Sequence, residues 1–227
     1  MSLSGESRFI KIAHRGASAY EPENTLRSFS KAIDIGADMI EFDVRQTLDG
    51  QLVIMHDRNV NRTTDGAGFV SDKSLGELKE LDAGMGERIP TLEEALELGR
   101  GRTKFVIEVK EDGIEEKIVR RVRDFGLTDD VFIVSFKSLR LRLVKELAPD
   151  VKTGLIVFAS TNPVKLAERC GADAVAPFRW FVTKKLVDRA REDGLFLFTW
   201  VVDETERCRA LFDLGVNGIV TNRPDLI

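Results

Sequence analysis

Short apolar, β-branched runs recur along the chain, at 9–13, 39–44, 52–55, 104–109, 131–136, 154–158, 174–176, 195–202 and 218–221. They do not alternate between apolar and polar residues, which suits strands covered on both faces, as in a parallel sheet. Between them lie segments with apolar residues at helical spacing. Leu26, Phe29 and Ile33 form one stripe, Ile114, Ile118, Val122 and Phe125 a second, and Leu139, Leu143 and Leu147 a third. Gly36, Gly126, Gly171, Gly194 and Gly215 each follow a helical segment and precede an apolar run. Glycine there supplies the left-handed conformation that turns a helix end into the next strand. Thr91 with Glu94 predicts a capping box, and Thr161-Asn162-Pro163 predicts a cap followed by a first-turn proline. Strand, helix, glycine and strand repeat about every 25 to 30 residues, the size of a βαβ crossover.

One pair of runs breaks this rhythm. The runs at 39–44 and 52–55 are too close for a crossover helix, and Asp49-Gly50 between them is a strong hairpin signal. They are expected to be antiparallel, and removing the second leaves eight parallel strands, the number that closes a barrel. A two-residue Asp-Gly turn pairs Leu48 with Gln51 and places Asp43 opposite His56 on one face. A three-residue loop with a glycine bulge would shift that pairing by one. The expected fold is an α/β, TIM-type (β/α)8 barrel with an antiparallel hairpin strand, in one domain over 1–227. The stretch 57–88 shows no barrel unit of its own and reads as a small insertion, either a plain surface excursion or a cap over the barrel mouth.

Length and composition agree with that architecture. A chain of 227 residues with 43% hydrophobic residues is the size of a single barrel and can bury a substantial core. A net charge of −4 with mixed signs argues against a nucleic-acid surface, which needs a dense basic patch. The stretch 1–8 is polar, unlike a secretory signal, and no apolar run approaches the roughly 20 residues of a membrane span. Cys170 and Cys208 lack metal-ligand or disulfide spacing and are expected to be buried, reduced thiols, which points to the cytoplasm.

The chemistry collects at strand ends. The sequence has two histidines, His14 and His56, and each ends an apolar run, where barrel enzymes place catalytic groups. Such a pair can serve as acid and base near neutral pH. Glu41 and Asp43 sit two apart in a run otherwise made of Met, Ile, Phe and Val, so they share a face. Glu108 and Lys110 repeat that spacing in the run at 104–109 and just beyond it. Buried carboxylates need a counter-charge. Either they form ion pairs with Lys or Arg, or they build an all-oxygen site for a hard divalent cation, Mg²⁺ or Ca²⁺. Arg15 offers a bidentate phosphate donor, and Asn24 reads as the N-cap of the helix that follows.

The ordered strings HRGASAYEPENT, IEFDV, LVIMHD, IPTLEEAL, FVIEVK, TWVVD and GIVTNRPD fall in a stretch from about Ile12 to Asp225. In that order they resemble the glycerophosphodiester phosphodiesterase family. The resemblance implies an α/β barrel that cleaves glycerophosphodiesters to glycerol 3-phosphate and an alcohol, through a cyclic phosphate made by the neighbouring glycerol hydroxyl. It implies metal ligands at Glu41, Asp43 and Glu108 for one divalent cation, and an acid–base pair at His14 and His56. Arg15 and Lys110 become phosphate contacts, and Trp200 a wall of the substrate pocket, with core filling as that tryptophan's other reading. Asn217 and Asn222 stand where relatives often carry aspartate and are expected to do no chemistry. Two rival readings remain: a phospholipase D-like enzyme acting on lysolipids or sphingolipids, which needs an exposed apolar approach surface, and a non-catalytic metal-binding barrel. The implied partner is a small-molecule substrate, with no nucleic acid and no membrane insertion. The motifs leave open which histidine is the base.

Overall fold

Each of the nine apolar runs forms a strand: β1 (Ile10–His14), β2 (Met39–Gln46), β3 (Leu52–Ile54), β4 (Lys104–Val109), β5 (Val131–Ser135), β6 (Lys152–Val157), β7 (Ala174–Pro177), β8 (Phe196–Thr199) and β9 (Gly218–Thr221). The structure, a computed structural model, describes residues 9–226, so the polar stretch 1–8 lies outside the described residues. Eight helices lie between the strands: α1 (Leu26–Ile35), α2 (Leu75–Glu80), α3 (Leu92–Gly99), α4 (Glu115–Asp124), α5 (Ser138–Leu147), α6 (Pro163–Arg169), α7 (Lys184–Glu192) and α8 (Thr205–Leu214). None of them is long and apolar enough to cross a membrane.

Sheet order is β1-β9-β8-β7-β6-β5-β4-β2-β3, and β1 also pairs with β2, so eight parallel strands close on themselves. Antiparallel β3 pairs with the last three residues of β2, beyond the point where β1 stops accompanying that strand. Alternate residues point inward and outward. Ile12, Met39, Val106, Phe132, Val134, Ile156, Phe198 and Val220 fill the barrel. The outward set packs under the helices, for example Phe42 between Phe29 of α1 and Phe105 of β4. Caps form where the sequence places them: Thr91 and Glu94 close a capping box on α3, and Asn162 caps α6 with Pro163 in its first turn.

Three expectations need correction. The hairpin pairs Val44 with Ile54 and Gln46 with Leu52, and the Met55 amide donates to Asp43 O at 2.9 Å, so Met55 rather than His56 stands opposite Asp43. Thr47 and Gln51 close a three-residue loop in which Gly50 takes a left-handed φ of 79°. One extra loop residue shifts the ladder by one, and the facing argument built on a two-residue turn fails. The leucine stripe of α5 is on the wrong side: Leu139, Leu143 and Leu147 are exposed, and Arg140, Leu141 and Val144 face inward. Finally, Thr25 rather than Asn24 caps α1, accepting from Ser28 N.

Residues 57–88 hold α2 and a short 3-10 turn at Val70–Asp72. They pack on the outer side of the hairpin, where Val60, Val70, Leu78 and Ala83, with Ile89 just beyond, bury Val53 and Met55. Between β1 and α1 the chain makes a tight turn through Arg15 and Gly16, both left-handed, at φ 55° and 82°. A Cβ on Gly16 would stand 2.4 Å from Ser28 Oγ and 2.6 Å from the Ser28 backbone. Gly16→Ala is therefore expected to cost about 1–3 kcal/mol and lower Tm by several degrees. Thermal unfolding followed by circular dichroism measures it; an unchanged Tm would contradict the packing described.

Candidate active site

Inward alternation carries the strands upward from an apolar barrel floor to a functional mouth. On β1 the series is Ile10, Ile12, His14; on β2 it is Met39, Glu41, Asp43; on β4 it is Val106, Glu108, followed by Lys110 just past the strand. These side chains converge because parallel register sets His14 beside Glu41 and Asp43 beside Glu108. Single oxygens of Glu41, Asp43 and Glu108 lie within 4.8 Å of one another, and all three residues are buried. His14, Arg15, His56, Lys110 and Trp200 line the same cavity, of about 110 Å³, with Glu41 and Glu108. Every residue singled out for chemistry in the sequence thus borders one site.

Its electrostatics are unbalanced. Arg15 lies 3.3 Å from Asp43 and 2.8 Å from Glu23, and Lys110 lies 2.9 Å from Glu108 and 3.3 Å from Asp43. Arg62 bridges Glu23 and Asp57 at 2.8 and 2.7 Å. Five carboxyl groups therefore share three cations, and with all five ionised two negative charges would stand in excess. Burial, reinforced by Asp43, pushes Glu41 well above the usual carboxylate range, and the same two causes raise Glu108. Burial acts on Asp43 in the same sense, but Lys110 and then Arg15 outweigh it and hold Asp43 down at about 2. Three buried oxygen donors with surplus negative charge fit a hard divalent cation, which would favour the ionised form of all three. The ion-pair reading also holds in part, since Lys110 and Arg15 neutralise some of this charge.

The two histidines have different partners. His14 Nδ1 stands 2.7 Å from Asn222 Oδ1. The Asn222 amide is oriented by Asp203, to which its Nδ2 donates at 2.6 Å and its backbone N at 2.8 Å. Oδ1 can only accept, so His14 carries its proton on Nδ1 and keeps Nε2 as a lone pair. Burial, then the Arg15 charge, lower the His14 pKa to about 4, so it is neutral at physiological pH. His56 Nδ1 instead meets the Asp57 carboxylate at 2.6 Å. Burial, with Lys110 and Arg15, lowers the His56 pKa on balance, against the upward pull of Asp43 and Asp57.

Backbone clamps hold the residues at the strand ends. Since register does not deliver His56, a bend just past β3 must, and buried Arg45 secures it. Its Nε and Nη2 donate to His56 O at 3.1 and 2.7 Å, and its Nη1 donates to Glu111 at 2.9 Å. Buried Arg140 acts likewise on the other side, donating to Val109 O at 2.5 Å and to Lys110 O at 3.2 Å. Arg15 is held in its left-handed conformation by three bonds. Its N–H donates to Glu41 at 3.0 Å, and its carbonyl accepts from Asn24 N at 3.0 Å and Ser28 Oγ at 2.9 Å. Asn24, also left-handed, donates its side-chain amide to Asp43 at 2.9 Å, which is the use its sequence position concealed. Asn222 is the second role that the sequence reading missed; Asn217 is structural, accepting from Leu197 N at 2.7 Å. Trp200 packs on the barrel core, donates Nε1 to Ala176 O at 2.9 Å and also lines the cavity.

Comparison with known proteins converges on one family. The sequence model of the glycerophosphoryl diester phosphodiesterase family matches residues 14–226. A glycerophosphodiester phosphodiesterase of Caldanaerobacter subterraneus subsp. tengcongensis is 41% identical over 232 residues, covering 96% of each chain. One from Bacillus subtilis is 33% identical, over 99% of this chain and 87% of its own. Among solved structures, an Oleispira antarctica phosphodiesterase in complex with the product sn-glycerol-3-phosphate superposes with a TM-score of 0.87, at 29% identity over 95% of this chain and 94% of that one. The glycerophosphodiester phosphodiesterase of Agrobacterium tumefaciens gives 0.89, also at 29% identity, over 96% and 98%. With both histidines, the three carboxylates and Asn222 inside the matched stretch, the chain belongs to the glycerophosphoryl diester phosphodiesterase family.

Proposed function

We propose that this chain hydrolyses glycerophosphodiesters to glycerol 3-phosphate and an alcohol, with one divalent cation held by Glu41, Asp43 and Glu108. The observation that carries the reading is the convergence of two histidines, three buried carboxylates and two cationic side chains on one small cavity. The family match and the product bound by the Oleispira relative support the substrate class. Mg²⁺ and Ca²⁺ both suit the all-oxygen donor set. When bound, the cation supplies Lewis-acid charge to the non-bridging phosphate oxygens.

The chain's own residues do the rest. Arg15 and Lys110 remain cations, because Asp43 and its neighbouring carboxylates outweigh their burial, and they bind the phosphate oxygens. His14, neutral with Nε2 as acceptor, takes the proton from the glycerol hydroxyl next to the phosphate. That oxygen bonds to phosphorus, and the ester bond to the alcohol breaks. His56 gives its Nε2 proton to the departing alcohol oxygen, its imidazolium stabilised by Asp57. Water then opens the cyclic phosphate with the histidine roles reversed. Trp200 forms one wall of the substrate pocket. Cys170 and Cys208 are buried free thiols, which supports a cytoplasmic setting.

Alanine at His14 or His56 is expected to lower kcat by roughly 10²–10⁴ with folding preserved. Steady-state kinetics on glycerophosphocholine, read beside circular dichroism, check it; near-normal turnover of either variant removes that histidine from the mechanism. Chelation, or Glu41→Gln, is expected to abolish turnover, and added divalent cation to restore only the chelated wild type. Full activity after exhaustive chelation would defeat the metal-dependent reading.

The Asp57 contact gives a pH test. Asp57 raises the His56 pKa. The acid must be protonated, so activity falls as pH rises through that pKa. Asp57→Asn removes the upward pull, and the alkaline limb of the kcat profile should move to lower pH. A limb that stays in place would show that His56 is not the acid.

A further inference from the structure

The mouth has two chemically different halves built on one structural rule. Past β1, β2 and β4 the inward positions are charged or imidazole, as described. On the opposite side, the first residue after each strand end is aromatic: Phe136 after β5, Phe158 after β6, Phe178 after β7 and Trp200 after β8. These rings touch in a continuous arc. Phe136 meets Trp200 edge-on at 5.6 Å, Phe158 stacks on Phe178 at 4.9 Å, and Phe178 lies 5.1 Å from Trp200. Phe181 extends the arc outward from Phe158 at 6.3 Å. Despite their mutual contact, Phe136, Phe158, Phe181 and neighbouring Trp180 remain 47–63% exposed. Side chains of this size are ordinarily covered.

The catalytic cavity is too small for a whole diester. At about 110 Å³ it falls well short of the roughly 300 Å³ and more of a typical small-molecule site. One arm of the substrate must lie outside it. Glycerol, with free hydroxyls, needs hydrogen-bonding partners, and the β1–β4 side offers Glu23, Asp57 and Arg62. The aromatic side begins at Trp200, which lines the catalytic cavity, and leads over Phe158 to a second cavity of about 660 Å³ between α6 and α7. Val164, Pro177 and Leu186 line that cavity, and Lys165, Lys185 and Arg189 outnumber the single carboxylate, Glu168.

Charge then narrows the occupant. An aromatic arc could hold a quaternary ammonium through its ring faces. Here guanidinium groups already occupy that role: Arg179 lies 5.2 Å from the Phe178 centroid and 5.3 Å from Trp180, and Arg207 lies 5.2 Å from Trp180. A further cation would meet Arg179 and Arg207 at these rings and an excess of Lys and Arg around the adjoining cavity.

We propose that this aromatic arc is the subsite for the alcohol arm of the diester, and that it selects alcohols with an uncharged hydrocarbon body over cationic ones. The inference rests on the hydrolytic function proposed above. It supplies the exposed apolar surface that the sequence alone did not reveal, placed at the mouth of the site rather than along a separate docking segment.

The test is a series of glycerol 3-phosphate esters with methyl, butyl, hexyl and octyl alcohols, together with the choline ester and its neutral isostere, the 3,3-dimethylbutyl ester. Full burial of a methylene corresponds to about fourfold, so partial burial should raise kcat/KM by about twofold per methylene up to hexyl. The neutral isostere should exceed the choline ester by about fivefold or more. In the Phe158→Ala/Phe181→Ala double variant the rise per methylene should fall by half or more. Trp180→Ala, a substitution at an exposed ring, gives a second reading should the double variant fail to fold. A flat alkyl series, a choline ester cleaved as well as its isostere, or a slope untouched by these substitutions would overturn the subsite. If all esters release glycerol 3-phosphate equally, the hydrolytic function stands and the subsite falls. If none is cleaved, both fall.

Discussion

Three carboxylates with oxygens within 4.8 Å of one another, in a pocket where Asp43 is 1% exposed, set the terms for the rest of the mouth. Leaving such charges unpaired in a protein interior is costly by several kcal/mol per ion. The surrounding structure answers with Arg15, Lys110 and Asn24, each bonded or paired to this group. It does not cancel the charge, because Glu23 and Asp57 bring further carboxylates with only Arg62 between them. The remaining negative charge makes the pocket receptive to a divalent cation, and that cation would make it receptive to a phosphate. Arg15 and Lys110 would then lie between metal ligands and substrate, serving both.

Precision at this site comes from backbone, not only from side chains. Arg45 and Arg140 spend their buried guanidinium groups on carbonyl oxygens at His56, Val109 and Lys110. Each stands where a chain leaves a strand and would otherwise be free to choose its direction. Left-handed Arg15 and Asn24 mark the same need on the first loop, where three bonds hold the Arg15 turn. Strain of this kind persists only where neighbours over-determine the conformation, as they do here. The histidines are fixed from behind in the same manner, His14 by an amide and His56 by a carboxylate. In the proposed mechanism that difference would separate the base, His14, from the acid, His56.

Much of this was legible in the sequence because buried strands leave strong local signals. Nine apolar runs became nine strands, and the i, i+2 spacing of Glu41 and Asp43 sufficed to place both carboxylates in the interior. What escaped depends on longer-range or finer geometry. Hairpin register turns on whether Asp49-Gly50 sits in a two- or three-residue loop, and both are open to that dipeptide. The α5 face was misread because helical spacing alone does not tell that Arg140 finds carbonyl partners inside, leaving Leu139 and Leu143 outside. Asn222 looked inert since its meaning lies in a partner 208 residues away. The aromatic arc is divided among four strand ends, which only the sheet order β5 to β8 brings side by side.

The proposed chemistry requires a cation at Glu41, Asp43 and Glu108. Diffraction from crystals of the wild-type protein grown with Mn²⁺, recorded at the manganese absorption edge, addresses it directly. An anomalous peak is expected with an oxygen of each of the three residues about 2.0–2.4 Å away, the range for a hard divalent ion. No peak between these carboxylates at saturating Mn²⁺, with Lys110 still paired to Asp43 and Glu108, would contradict it and leave the triad as part of an ion-pair network.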